Sequence, residues 1–243
     1  MIEYNEFCSI FNTVMALNGF SDLTGNDESR KFYDLTDRML SVNEYMNLTA
    51  IKDLAAIVLL HYADSLTASR FLPQNAIIAD IGCGAGFPCL PLAICRPDLS
   101  ILALDSTEKR IQYVKQTAEL LNCENLSAVA MRAEDGGKGE YRERFDVCTA
   151  RAVASLPALS ELCLPFVRVG GTFLAMKGKK GEEELKEAAN AIKKLGGEVA
   201  ELHAVTLRSQ TEDDTRYLIE IKKVKSTPTE FPRAWARILK KPL

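Results

Sequence analysis

The chain predicts a doubly wound α/β fold, a mostly parallel sheet with helices on both faces, preceded by N-terminal helices. Three observations predict it. After Pro73 short apolar runs alternate with amphipathic segments, the first run flows straight into the glycine-rich stretch IGCGAGFP, and the series ends in two extended segments joined by a polar loop. Alternating strand and helix imply parallel βαβ units. Glycines directly after a buried strand mark the turn at which such sheets let a ligand approach the backbone.

Taken in order, Phe7, Ile10, Phe11, Val14, Met15 and Leu17 recur at helical spacing, as do Phe32, Leu35, Met39 and Leu40, then Leu54, Ile57, Val58 and His61. Residues 1–72 therefore read as a helical region packed on the core, and residues 73–243 as the sheet domain with a basic C-terminal tail. Within the latter, 77–81, 100–104, 126–131, 145–149 and 172–176 read as strands. The segments 88–95, 108–121, 156–167 and 182–195 read as helices. Residues 199–207 and 217–224, separated by RSQTEDDTR, read as an antiparallel hairpin, which predicts an antiparallel C-terminal strand at the sheet edge.

With 243 residues, 47% hydrophobic and 26% charged, the chain has the composition of an ordinary globular protein. Its formal charge of -3 excludes a uniform nucleic-acid coat but conceals a gradient. Residues 1–80 hold 5 Lys/Arg against 11 Asp/Glu, residues 81–215 hold 17 against 20, and residues 216–243 hold 8 against 2, so the tail is the basic end. Seven cysteines without a C-x-x-C pair suggest neither zinc nor a disulfide framework. No secretory leader or membrane span is evident, which points to a cytoplasmic protein with reduced thiols.

The loop narrows the ligand. Dinucleotide loops read G-x-G-x-x-G, whereas Gly82, Gly84 and Gly86 alternate, with Asp80 two residues ahead. A pyrophosphate needs a helix N-terminus, while an acid beside the loop suits a ligand carrying ammonium and sulfonium centres. D-x-G-x-G-x-G resembles motif I of the S-adenosylmethionine-dependent methyltransferases. Asp105 ends the second strand in LALDS, where either cofactor class places an acid on ribose hydroxyls. Glu134, in RAE, is either an adenine contact or a solvated acid. Arg151, closing the fourth strand, is either an ion-pair partner or a cation of the site. His61 and His203 read as structural, His61 on a helix packed against the sheet, and Cys83 and Cys89 as small buried hydrophobes.

The combination ADIGCGAGFPCLPLA, LALDSTEKR, RAE, TARAVASL and FLAMKG, preceded by NLTAI and HYADSL and followed by FPR and KKPL, closely resembles the bacterial 16S ribosomal RNA guanine-N7 methyltransferases of type G, also called the glucose-inhibited division protein B family. The resemblance implies a Rossmann-like methyltransferase sheet, S-adenosyl-L-methionine as cofactor, no metal, and a guanosine in the decoding-region stem-loop of 16S rRNA as target. The expected cofactor contacts are Asp80, Gly82, Gly84, Phe87, Asp105, Ser106, Ala133, Glu134 and Arg151. Cys83 and Cys89 depart from the family, which commonly has Ser or Thr and Gly there.

Guanine N7 carries a lone pair and no proton, so the reaction needs positioning rather than a general base, and no catalytic side chain is expected. RNA contacts are expected from Arg151, Lys177, Lys179, Arg233, Arg237, Lys240 and Lys241, with Lys180, Lys222, Lys223 and Lys225 as further cations. Phe87, Tyr45 or Trp235 would stack the target base. The overall acidity favours 16S rRNA within a small-subunit particle over naked RNA. The alternatives are a methyltransferase for a small molecule or protein and a nicotinamide-dependent dehydrogenase.

Overall fold

A computed structural model describes residues 2–243. Seven strands form one sheet: β1 (Ile77–Ile81), β2 (Ser100–Asp105), β3 (Leu126–Ala130), β4 (Phe145–Arg151), β5 (Val167–Lys177), β6 (Gly197–Leu207) and β7 (Asp214–Lys223), in the order β3-β2-β1-β4-β5-β7-β6. The first five run parallel, and β7 is antiparallel to both neighbours. Strand order reverses between β1 and β4, the place where open α/β sheets bind ligands.

The hairpin lies at the edge, but β7 is its inner strand and β6 takes the outside. This corrects the expectation of a C-terminal edge strand. Burial explains the order. Leu218, Ile219 and Ile221 of β7 are buried, whereas β6 is exposed along most of its length and carries charge suited to an open edge.

Side-chain alternation feeds two apolar layers. Ile78, Ile101, Val147 and Leu174 face helices α1 (Tyr4–Leu17), α2 (Asn26–Met46), α3 (residues 54–66), α4 (Cys89–Cys95) and α5 (Glu108–Leu120). Ala79, Leu104, Cys148 and Phe173 face α7 (Leu156–Cys163) and α8 (Gly181–Lys194), with a one-turn α6 (Ala133–Gly136) between β3 and β4. Helix α3 is irregular, widening to π-helical geometry over Val58–Ala63. Among the described residues, no helix is long and apolar enough to cross a membrane.

Helix α7 stops earlier than its apolar pattern suggests. Pro165 belongs to the tight turn Leu164–Phe166 that follows, and β5 begins at Val167. The tail adds α9 (Trp235–Lys240), too short and too basic to show a period.

Two tail cations are anchors rather than free charges. Lys223 is buried, its ammonium donating to the carbonyls of Leu164 at 2.6 Å and Val167 at 3.2 Å and to Thr227 Oγ1 at 2.7 Å, with Glu143 3.1 Å away. Arg233 grips the fully buried Glu161 carboxylate through Nε at 2.8 Å and Nη2 at 2.6 Å, a bidentate pair that fastens the tail to α7. Arg233→Met leaves that carboxylate without its cation and is expected to lower the unfolding free energy by about 3 kcal/mol, read from urea denaturation. A loss under about 1 kcal/mol, the range of exposed pairs, would mean that the tail is not anchored there.

Candidate active site

The loop after β1 curls over the end of β2. The amides of Gly82 and Cys83 both donate to the Leu104 carbonyl, at 2.7 and 3.1 Å, and that of Gly84 donates to Asp105 Oδ2 at 3.1 Å. Gly82 (φ +73°) and Gly86 (φ +89°) adopt left-handed backbone, and a Cβ would strike Val153 at 2.6 Å in the first case and Leu90 in the second. At Gly84 the nearest atom is 3.9 Å away. The three glycines therefore differ in purpose. Gly82 and Gly86 serve the chain's own packing, and Gly84 alone faces open space.

Asp80 does not reach that space. It is 1% exposed and lies beneath the loop, where Oδ2 accepts from the Cys89 amide at 3.2 Å and Oδ1 from Thr149 Oγ1 at 3.3 Å. Burial pushes its pKa up to about 6, against the opposing pull of those hydrogen bonds. The expectation that Asp80 faces a ligand ammonium is thereby corrected, because its donors come from α4 and β4.

The remaining expected cofactor contacts, Gly82, Gly84, Phe87, Asp105, Ser106, Ala133, Glu134 and Arg151, line one cavity of about 420 Å³. Asp105 accepts from Thr107 N at 2.8 Å on one oxygen and from Gly84 N on the other, so each oxygen keeps acceptor capacity for a hydroxyl. Glu134 is held by Arg132 Nε at 2.9 Å and by the Trp235 amide at 3.3 Å, not merely solvated. Met131, Leu162 and Trp235 supply apolar wall. A polar end with a hydroxyl acceptor and an apolar end flanked by an acid fit an adenosyl group, and the volume lies within the usual range for small-ligand sites.

Arg151 sits where this cavity meets a second one of about 800 Å³. Its Nη1 donates to the Leu60 carbonyl and to Asp64 Oδ2, both at 2.9 Å, and its guanidinium carbon lies 5.3 Å from the Phe87 ring centre. Phe87 stacks on His61, with ring centres 4.5 Å apart and planes 6° from parallel. Burial, and next the Arg151 charge, push the His61 pKa down to about 4, so the ring is neutral near pH 7. Its Nε2 meets Thr49 Oγ1 at 2.9 Å. Ala152, at φ +55°, turns the chain away from β4 in a strained conformation.

Sequence reasoning assigns His61 to structure, whereas the fold puts it in the cavity wall. It passes over Asp64, Arg216, Arg110 and Arg132 as site groups. The segments NLTAI and HYADSL, which hold Thr49, His61 and Asp64, carry a signal, as do the arginines inside LALDSTEKR and RAE.

The expected RNA contacts divide. Lys177 is buried, donating to the Ala154 carbonyl and pairing with Glu184, both at 2.7 Å, and Arg233 is committed to Glu161. Both expectations are corrected, since neither side chain is free for phosphate. Lys179 is exposed and 3.5 Å from Asp214, while Arg237, Lys240 and Lys241 are exposed near the end of the chain. Tyr45 is also exposed. Glu201, His203 and Glu220 gather ligand-type atoms within 4.8 Å on the outer hairpin, away from the cavity, where Lys222 sits 2.6 Å from Glu220.

A family profile described as "GidB: rRNA small subunit methyltransferase G" matches residues 28–212. The chain is 44% identical over 220 residues to the ribosomal RNA small subunit methyltransferase G of Macrococcus caseolyticus (strain JCSC5402), covering 90% of this chain and 92% of that protein. It is 45% identical over 222 residues to that of Staphylococcus epidermidis, covering 90% and 91%. Among solved structures it is similar to a SAM-dependent methyltransferase from Aquifex aeolicus, with a TM-score of 0.54 and 17% identity over 71% of this chain and 94% of that one, a likeness of fold. With such identity sustained over 90% of its length, the chain belongs to the rRNA small subunit methyltransferase G family.

Proposed function

We propose that the protein methylates N7 of a guanosine in the decoding-region stem-loop of 16S rRNA, presented within a small-subunit particle, with S-adenosylmethionine as donor and no side chain acting as general base. The observation that carries this reading is the pair of adjoining cavities. One is lined by Asp105, Glu134 and Phe87, the other opens beyond Arg151, and His61 and Arg151 stand at their junction.

When bound, S-adenosylmethionine supplies an electrophilic methyl group on a sulfonium. The protein's task is to hold and exclude. Asp105 offers acceptor oxygens to ribose hydroxyls, Gly84 leaves room beside its amide, and Met131 and Leu162 shield an adenine from water. The carboxylates of the two cavities are engaged by donors of the protein, Asp105 by the Gly84 and Thr107 amides, Glu134 by Arg132 and the Trp235 amide, Asp64 by Arg151 and Glu184 by Lys177. Both ring nitrogens of neutral His61 face protein partners, burial keeps the Cys89 thiol protonated with a pKa well above its usual value, and Asp80 lies beneath the loop. None is required, because N7 bears no proton, and alignment of two reactants in a dry site is worth about 7 to 11 kcal/mol in favourable systems.

Three outcomes are expected. Asp105→Asn weakens S-adenosylmethionine binding about 10-fold or more in isothermal titration calorimetry, because a charged acceptor is lost, and unchanged affinity would remove Asp105 from the ribose site. Single-turnover methylation is flat from pH 7 to 9, since His61 titrates near pH 4 and Asp80 near pH 6. It declines only below that window, as protonation of Asp80 weakens the charge-assisted hydrogen bonds from the Cys89 amide and Thr149 that anchor the loop, and a rate that climbs between pH 7 and 9 would indicate a side-chain base. Chemical cleavage mapping of N7-methylguanosine in 16S rRNA from a deletion strain should find the decoding-region mark missing, and its persistence would reject the substrate.

A further inference from the structure

We propose that Arg151, held in place by Asp64, reads O6 of the acceptor guanine and thereby selects the base. The proposal rests on the reading of guanine N7 as acceptor and assigns the group that recognises it.

A guanidinium has five N–H donors in a fixed fork. Arg151 spends both Nη1 hydrogens, on the Leu60 carbonyl and Asp64 Oδ2, and one Nη2 hydrogen faces His61 Nδ1 at 3.5 Å. Nε–H and the second Nη2 hydrogen have no protein acceptor among the described hydrogen bonds. These unspent donors belong to a largely buried side chain, 15% exposed, that lines both cavities. A base attacking through N7 must bring that edge to the junction of the cavities. Beside N7 guanine carries the O6 acceptor and adenine the N6 amino donor, so an N–H fixed there accepts one purine and opposes the other.

Charge explains the partner. Methyl transfer leaves positive charge on the purine, and a bare guanidinium next to it would resist the reaction. Asp64 removes that objection. Its carboxylate sits 2.9 Å from Arg151 and 3.4 Å from Arg216, so an anion lies directly against the guanidinium and offsets its charge, while Arg216 and Lys179 share Asp214 at 2.6 and 3.5 Å. The donor is therefore available without its full field. Leu60 and His61, both in the π-helical stretch, add the second and third fixings, a geometry frequent where helices serve sites. Asp64 thus acts as a positioning residue and Arg151 as the reader.

The test uses reconstituted small-subunit particles in which the target guanosine is replaced by 2-aminopurine riboside, which lacks O6 and keeps N7. Wild-type kcat/KM should fall about 10- to 100-fold on this substrate, the usual worth of one good base contact. Arg151→Gln should be slow on guanosine and lose the distinction, methylating both particles within about 2-fold of each other when S-adenosylmethionine is saturating. Asp64→Asn should narrow the ratio and Asp64→Glu restore it, a pattern that general loosening of the fold would not give. Equal wild-type rates on both particles would overturn the O6 assignment alone, and the wild-type arm needs no variant to fold. A variant that keeps the wild-type ratio would overturn it equally. A wild-type enzyme inactive on the guanosine particle would instead overturn the N7 reading, and the assignment with it.

Discussion

The site depends on one buried carboxylate. Asp80 is withdrawn from water with its pKa raised to about 6, yet it holds the first turn of α4 through the Cys89 amide and the neighbouring strand through Thr149. Burying a charge is unfavourable unless donors surround it, and these donors come from the two elements that flank the end of β1. With both ends of the loop pinned, the amides of Gly82 and Cys83 converge on Leu104 and that of Gly84 falls on Asp105. The register between β1 and β4 is in this way transmitted to the end of β2, where the cofactor's ribose is proposed to lie.

The N-terminal helices complete what the sheet begins. Phe7, Phe11, Phe32, Tyr62 and Phe87 form a continuous chain of ring contacts, each 4.8 to 6.0 Å from the next, running from α1 to the glycine loop. At its end Phe87 meets His61, and α3 delivers Asp64 and the Leu60 carbonyl to Arg151. Packing in the apolar layer therefore sets the position of a polar group. Since core side chains are close-packed, a change of volume at Phe32 or Tyr62 would reach the junction of the two cavities through these contacts.

This division explains how much was legible in the sequence. Strand ends declare themselves, because an apolar run terminates in a polar residue at the sheet's carboxyl edge, and Asp105 and Arg151 are found that way. Asp80 obeys the same rule and misleads, since only the path of the following helix shows that its carboxylate turns inward. His61 and Asp64 are signalled only by the segment HYADSL and Arg216 by nothing, since none of the three ends an apolar strand. They reach the site by tertiary packing of α3 and by the insertion of β7 between β5 and β6, neither of which periodicity reports. The tail shows the same limit for charge. Lys223 and Arg233 count as cations in a composition, while in the fold their charges are spent inside the protein.

That loss bears on how RNA is held. Affinity for free nucleic acid grows with the number of phosphates that lysine and arginine neutralise, and removing Lys177, Lys223 and Arg233 from the available set leaves a protein of net charge -3 with a modest cationic surface. The cations that border the cofactor cavity, Arg110 and Arg132, are each close to an acid as well, Asp105 at 3.6 Å and Glu134 at 2.9 Å. Charge of this kind orients a ligand already brought close more effectively than it gathers one from solution. The proposed particle substrate suits such a surface, since a base presented in a fixed conformation can be recognised by shape, as one in a flexible transcript cannot. The same reasoning joins the two halves of the site. An enzyme that gains little from phosphate contacts has the more need of a selective contact to the base itself, the role proposed for the unspent donors of Arg151.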